Sequence, residues 1–533
     1  MKKMNIKSLS ILALLVMAFT VSCKKDKDRE FDQIRMFTPG DIDVTTADTT
    51  VTLEWNPSLF TEGRKVTYTV EVSRDSSFQN IVYRTVVDTA RVVITASNLT
   101  VRTNYVARVK ADTSGNIPQS YWVISERFSM TGEQIFLPVQ ATDIIDVAVL
   151  LKWRTTAGLT KIVLTPQNGT PMDIALTAGD ITAERKLITG LTSNTQYTAE
   201  IFAGTRSKGL VTFRTKVPMS GNIIDLRGIS GRPTVLVDTL PIIPSGSIVV
   251  LGRGQTYTVS ANTPLSKSVT IVSGDDLLNP SLAMIYFTSN FNFTASAAID
   301  SIKFSNVAIR SDNYTSRYIF NTTGGATLGK MIFENCRIGA FRGLVRLQSG
   351  TTTISEFRLD NCVVDSLGNY GVITVDNVSC RADRIVLRNS TVYKADKIIT
   401  SRQNSTSVLV ENCTFNETPL GGGATSNFFI DYSQSGTNNV TAGIAINNTI
   451  FGVGKANSGN SVVRGIRVNA ATGVTVANSY KTSDYVTAGN DIPSLIAYPG
   501  TSANLFQDPG NGNFTIIDNS FAGRNTAGDP RWR

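Results

Sequence analysis

The sequence contains no histidine. That absence removes the side chain most often used as a general base near neutral pH and as a metal ligand. It also excludes Ser-His-Asp and Cys-His nucleophilic sites. Cysteine is scarce: besides Cys23 there are Cys336, Cys362, Cys380 and Cys413, all in the C-terminal half, so no disulfide framework can tie the whole chain together. Charged residues make up only 17% of the chain. The basic ones are scattered and accompany no nucleic-acid-binding motif, which argues against nucleic acid as a partner. Long apolar runs are missing too; the run from Ile11 to Phe19 is too short to span a membrane. What is abundant is Gly, Thr, Ser, Asn and Val, a balance that favours strands and turns and predicts an all-β protein. A length of 533 residues requires several domains.

The first 22 residues read as a basic segment (Lys2, Lys3, Lys7), the short apolar run, and the small residues Thr20-Val21-Ser22 before Cys23. This ending resembles a bacterial lipobox, which implies cleavage before Cys23, lipidation of Cys23 and attachment to a membrane through that anchor. Removing the three lysines leaves 48 basic against 42 acidic residues, a mild excess. Residues 23–33 include Lys24-Lys25-Asp26-Lys27-Asp28-Arg29-Glu30, an unpatterned charged stretch suited to a solvated tether. It resembles the export tags of surface lipoproteins in Gram-negative glycan foragers and implies an outer-membrane lipoprotein displayed at the cell surface.

Residues 34–131 alternate apolar and polar side chains in short runs. Val51, Leu53 and Trp55 share one strand face; Tyr68, Val70 and Val72 share another; Leu99 precedes Tyr105 by six residues. Residues 132–217 repeat the layout with Leu151, Trp153, Leu191 and, six on, Tyr197. Both copies resemble fibronectin type III modules, in which such a Trp is a core residue and such a Tyr bonds back to the chain. The resemblance implies two spacer modules.

Residues 218–533 hold the strongest repeat. Seven segments follow apolar-x-apolar-x-Asn and end at Asn306, Asn335, Asn361, Asn389, Asn412, Asn448 and Asn478, spaced by 29, 26, 28, 23, 36 and 30 residues. One coil per repeat would stack the apolar pairs into a continuous core and leave Asn at a sharp bend, with its amide buried in a ladder between coils. The residue after each Asn is small (Val307, Cys336, Cys362, Ser390, Cys413, Thr449, Ser479), so the cysteines read as small core residues. Adjacent coils would also permit a Cys336 to Cys362 bridge. A column of Glu334, Asp360, Arg388 and Glu411 just before the Asn suggests charge pairing between coils. Lys481 breaks the apolar column that follows, which predicts fraying or a cap in the last coil. The repeat resembles the pectin-lyase-like right-handed parallel β-helix. The expected architecture is therefore two fibronectin type III-like β-sandwiches, then a right-handed parallel β-helix with a C-terminal tail.

That fold is shared by enzymes and non-enzymes, so chemistry rests on individual residues. The adjacent pair Asp275-Asp276 follows Gly274 and reads as a turn rather than a catalytic cluster. The resemblance implies a cleft along the strand preceding the one that ends in Asn, here residues 344–347, 372–375, 397–400, 429–432 and 462–465. Their polar residues Arg346, Asp376, Arg402, Asp431 and Arg464 form the candidate glycan groove, with a solvated strand face as the bland alternative. The leading expectation is a non-catalytic binder of polysaccharide, acidic and pectin-like, associated with an outer-membrane uptake complex. No catalytic residue, metal or cofactor is assigned. The alternatives are a uronate-specific lyase or hydrolase, for which Ca²⁺ would be the cofactor, and a structural protein or adhesin without a glycan ligand.

Overall fold

A computed structural model describes residues 34–432 and 437–533, apart from the side chain of Ala424. The expected signal peptide, Cys23 and the charged tether lie outside these residues. The chain forms two compact units that divide between Lys216 and Val217.

The first unit contains both sandwich modules. In the first module, Ile42–Thr46, Thr50–Trp55 and Arg91–Thr95 form one antiparallel sheet. Ile81–Val87, Tyr68–Ser73, Val106–Ala111 and Val123–Ile124 form the other. Strict alternation sends Val51, Leu53 and Trp55 inward and leaves Glu54 exposed. In the second module, Met172–Ala175, Leu159–Pro166, Gln196–Ala203 and Arg206–Arg214 face a pair made by Ala148–Lys152 and Arg185–Thr189. Trp55 is 5% and Trp153 1% exposed, so both are core residues and neither is a stacking platform for sugar. Each corner tyrosine closes its loop in the same way. The Tyr105 hydroxyl accepts from the Thr100 N–H at 3.0 Å and that of Tyr197 from the Thr192 N–H at 2.9 Å. Arg102 ties the modules together by donating to Glu200, to Ser207 and to the Glu133 carbonyl. Gly132 passes close to this guanidinium with φ +79°; a Cβ there would lie 2.8 Å from it.

The second unit is an all-parallel β-solenoid of about nine turns. Its first face is a ten-stranded sheet running from Ile223–Asp225 to Val474–Ala477. In it Phe304, Phe333, Leu359, Leu387, Val410, Ile446 and Val476 lie in register, one per coil. The second face follows each Asn bend, and the third returns the chain to the first. Burying each large apolar side chain contributes about 1.5–3 kcal/mol, and neighbouring coils share the benefit. At the N-terminal end, Leu236 on the short helix Val235–Thr239, with Leu240 and Ile243, covers the first coil.

All seven ladder asparagines adopt the left-handed conformation, with φ between 44° and 54°. From Asn306 to Asn448, each N–H donates to a carbonyl of the next coil, as in Asn361 to Arg388 at 3.1 Å. The side chains depart from the expected buried ladder: six are half-buried and Asn361 is exposed. Amide-to-amide bonds join Asn361 to Asn335, Asn412 to Asn389, and Asn478 to Asn448. Between these pairs charged groups intervene. Asn389 donates to Asp360, Arg531 donates to the Asn361 oxygen at 2.6 Å, and Arg533 donates to the Asn412 oxygen at 3.1 Å. A corner on the surface gains competitors from water and charged side chains, which a buried corner would not meet.

The small residue after each Asn also does more than fill space. The Cys362, Ser390, Cys413, Thr449 and Ser479 side chains each donate to the carbonyl two residues earlier. Several accept from the N–H one coil before, as Ser390 does from Cys362 at 3.0 Å and Ser479 from Thr449 at 3.1 Å. Cys336, Cys362, Cys380 and Cys413 are buried and free, so the bridge between Cys336 and Cys362 is not formed. Instead the Cys336 N–H points to the Cys362 sulfur at 3.4 Å. Burial pushes the Cys362, Cys380 and Cys413 thiols up. In the preceding column, Arg388 pairs with Asp360 at 2.6 Å across coils.

The last coil does not simply fray at Lys481. Tyr480–Lys481 pairs with Ile496–Ala497, and the chain then folds back along the solenoid. There Phe506, Phe514, Ile516 and Phe521 form a separate small core with Ile450 and Tyr480.

Candidate glycan-binding face

The third face is built from coil-to-coil pairing. Phe320, Val345, Ile373, Ile399, Ile430 and Ile466 are in register and point inward, all buried. The alternate positions are Asn321, Arg346, Thr374, Thr400, Asp431 and Arg467, which therefore form one outward column. At strand spacing the column places Arg346 and Arg467 roughly 19 Å apart, four steps along the axis.

Two clusters lie on this face. In the first, Arg346 Nε donates to Asp376 Oδ2 at 3.0 Å, and Arg402 approaches the other Asp376 oxygen at 3.5 Å. The Arg346 guanidinium lies 4.2 Å from the centre of the Tyr370 ring and that of Arg342 4.7 Å from it, while Tyr318 meets Tyr370 edge-on at 5.5 Å. Gly343 makes this arrangement possible, because a Cβ there would sit 2.6 Å from Cβ of Tyr370. In the second cluster, Arg467 donates to both Asp431 oxygens at 2.9 and 2.8 Å. The Arg464 and Arg467 guanidinium groups lie 5.1 and 4.2 Å from the centre of the Phe428 ring.

The sequence-predicted residues thus divide into two groups. Arg346, Asp376 and Arg402 meet; Asp431 and Arg464 lie further along the face, and Asp431 takes Arg467 as its partner. Sequence reasoning missed Arg467 because it bounded that strand at residues 462–465, whereas the strand is Arg464–Arg467. It also missed Arg342, Tyr318, Tyr370 and Phe428. Their signal, aromatic and arginine residues flanking the same strand positions, becomes visible only once the coils are aligned. The side chains are unequally available: Arg346 is 16% exposed and Arg402 43%. Arg346 therefore holds the face together, while Arg402 presents its charge to solvent. Asp276, by contrast, accepts from the Leu278 and Asn279 N–H groups at 2.9 and 3.1 Å and makes a turn. Among the described residues, no three His, Cys, Asp or Glu side chains converge as an ion site, and no helix is long and apolar enough to cross a membrane.

Two family models match the solenoid, each described as a domain of unknown function: DUF4957 over residues 255–395 and DUF5123 over residues 408–532. The division between them falls inside a continuous structure, since Ile373, Ile399 and Ile430 remain in register across it. No curated protein matches the chain. Similar solved structures include fibronectin domains FN1–FN3 of chicken CNTN1, at 14% identity, covering 34% of this chain and 67% of that one with a TM-score of 0.16. They also include a two-domain fibronectin type III segment of chicken tenascin, at 16% identity, covering 34% and 99% with a TM-score of 0.19.

Proposed function

We propose that this chain is a surface lipoprotein that binds an acidic polysaccharide along the third face of its solenoid, held away from an outer membrane by the sandwich modules and anchored through Cys23. One observation carries the reading. Arg342, Arg346, Arg402, Arg464 and Arg467 stand on or beside this face against Asp376 and Asp431. The arginines outnumber the two aspartates, which gives a rigid surface several coils long a net positive charge. Such a surface favours polyanions through charge, bidentate contacts to carboxylates and preorganisation. Tyr370 and Phe428 set the guanidinium planes beside aromatic rings, which lowers the entropy lost on binding. The lipid anchor rests on the sequence around Cys23, and an uptake complex would be the partner that receives the captured polymer.

The test is native electrophoresis through gels containing polygalacturonate, alginate, a sulfated glycan or a neutral glucan. The expected result is retardation in at least one polyanionic gel, lost at high salt and absent in the neutral gel. Equal mobility in all gels would remove the reading in favour of a structural protein or adhesin. Release of unsaturated, ultraviolet-absorbing oligosaccharides would replace it with a lyase.

A further inference from the structure

The second face carries a separate pocket where the folded-back tail meets the solenoid. Its volume is about 320 Å³. In register along that face run Arg310, Gly339, Asp365 and Tyr393, beside a second column of Ala308, Arg337 and Val363. Gly339 opens the depression: a Cβ there would lie 2.6 Å from an Asp365 oxygen. The tail supplies the remaining walls with Gly512, Arg531 and Trp532.

Several contacts fix this pocket before any ligand arrives. Trp532 Nε1 donates to Thr391 Oγ1 at 2.8 Å, and the ring packs edge-on against Phe514 at 6.1 Å. Arg531 is held by Asp529 and by the Asn361 side chain. Arg310 faces Asp365 at 3.6 Å. Arg337 is exposed and has no carboxylate within ion-pair distance among the described residues. Three guanidinium groups thus surround one lining carboxylate, between two aromatic side chains.

We infer that this pocket binds a single acidic pyranose unit, a hexuronate, with the ring against Trp532 and Tyr393 and the carboxylate at Arg337. Aromatic side chains offer apolar area to the C–H faces of a sugar ring, and a guanidinium recognises a carboxylate with two parallel bonds. The volume lies at the small end of the range for ligand sites and suits one ring rather than a polymer. The inference stands independently of the third face, so each can fail without the other.

The test uses the full chain and the fluorescence of its tryptophans, titrated with galacturonate, glucuronate, galactose, glucose and acetate. The expected result is a saturable change with one of the uronates, at least tenfold weaker for Arg337→Ala and lost as a signal in Trp532→Phe. Equilibrium dialysis follows binding in the latter variant. Arg337→Gln serves as the second variant if Arg337→Ala alters the circular dichroism. Arg402→Ala should leave uronate binding unchanged, and Arg337→Ala should leave gel retardation unchanged. No saturable response to either uronate, an equal response to the neutral sugars, acetate reproducing the whole response, or unchanged affinity in both Arg337 variants would overturn the inference.

Discussion

The sandwich unit and the solenoid unit stabilise residues by different geometries. In the sandwiches each core residue packs against partners in two sheets of one module, and the two copies reach the same solution at the same positions, Trp55 with Tyr105 and Trp153 with Tyr197. In the solenoid a residue's environment is set by the residue one coil away. Ser390 satisfies Cys362 and Arg388 pairs with Asp360, each across 28 positions of sequence. Damage in a sandwich should therefore be confined to one module, whereas damage in the solenoid should be read by the adjacent coils.

The largest effect that would sharpen this contrast is Trp153→Ala. The ring is 1% exposed, and its loss should cost about 3–5 kcal/mol. Chemical denaturation should show an earlier transition for the sandwich unit while the solenoid transition stays in place; a shift of both would mean that damage in a sandwich reaches the solenoid.

In the solenoid, Cys362→Val puts the residue type of Val307 into the same column but removes an acceptor for the Cys336 N–H and a donor to the Asp360 carbonyl. A loss of about 1–3 kcal/mol is expected, with a smaller loss for Cys362→Ser, because Ser390 already occupies that column. Asn389→Ala should cost about 1–2 kcal/mol from its left-handed backbone alone, and Asn389→Gly less. Thermal melting of the two Cys362 variants decides between a hydrogen-bonded column and mere space filling.

A pH series separates the two units further. Burial raises the folded-state pKa of Cys362, Cys380 and Cys413 above the ordinary thiol value of 9.0. Their contribution to stability is thus fully present below pH 9.0 and is lost as pH climbs from there toward the folded values. Denaturation midpoints should fall above pH 9.0 for the solenoid, and a thiol reagent should leave these cysteines unmodified until the solenoid unfolds. Rapid labelling of the native protein would contradict the burial. The smallest expected effect on stability is that of Arg402→Ala, within about 0.5 kcal/mol, since the side chain is 43% exposed and its contact with Asp376 is 3.5 Å long.

The architecture was legible where local pattern and global fold agree. Alternation exposed the sandwich strands, and the recurring Asn marked a bend that requires a left-handed residue. The candidate face was legible in part. Arg346, Asp376 and Arg402 could be placed together because the strand phases of their coils follow the apolar pattern. Further along, register is dictated by the preceding coil rather than by local sequence, so Arg467 rather than Arg464 occupies the column with Asp431. The tail was illegible for a different reason. Asp529 bonds to Thr391 across 138 residues and Arg531 to Asn361 across 170, and no periodic signal announces contacts of that range. The cysteine column shows the remaining limit: small residues at a core position suggest packing, and only the aligned coils reveal that they also carry hydrogen bonds.

The proposed function rests on polyanion binding by the exposed arginines of the third face. Its most direct measurement is a calorimetric titration of the protein and of the Arg402→Ala/Arg467→Ala double variant with an oligouronate long enough to cover four coils, at low and at raised salt. Binding by the parent should weaken as salt rises, and the variant should lose at least tenfold in affinity with its melting temperature nearly preserved. Equal affinity in both proteins, or affinity indifferent to salt, would contradict it.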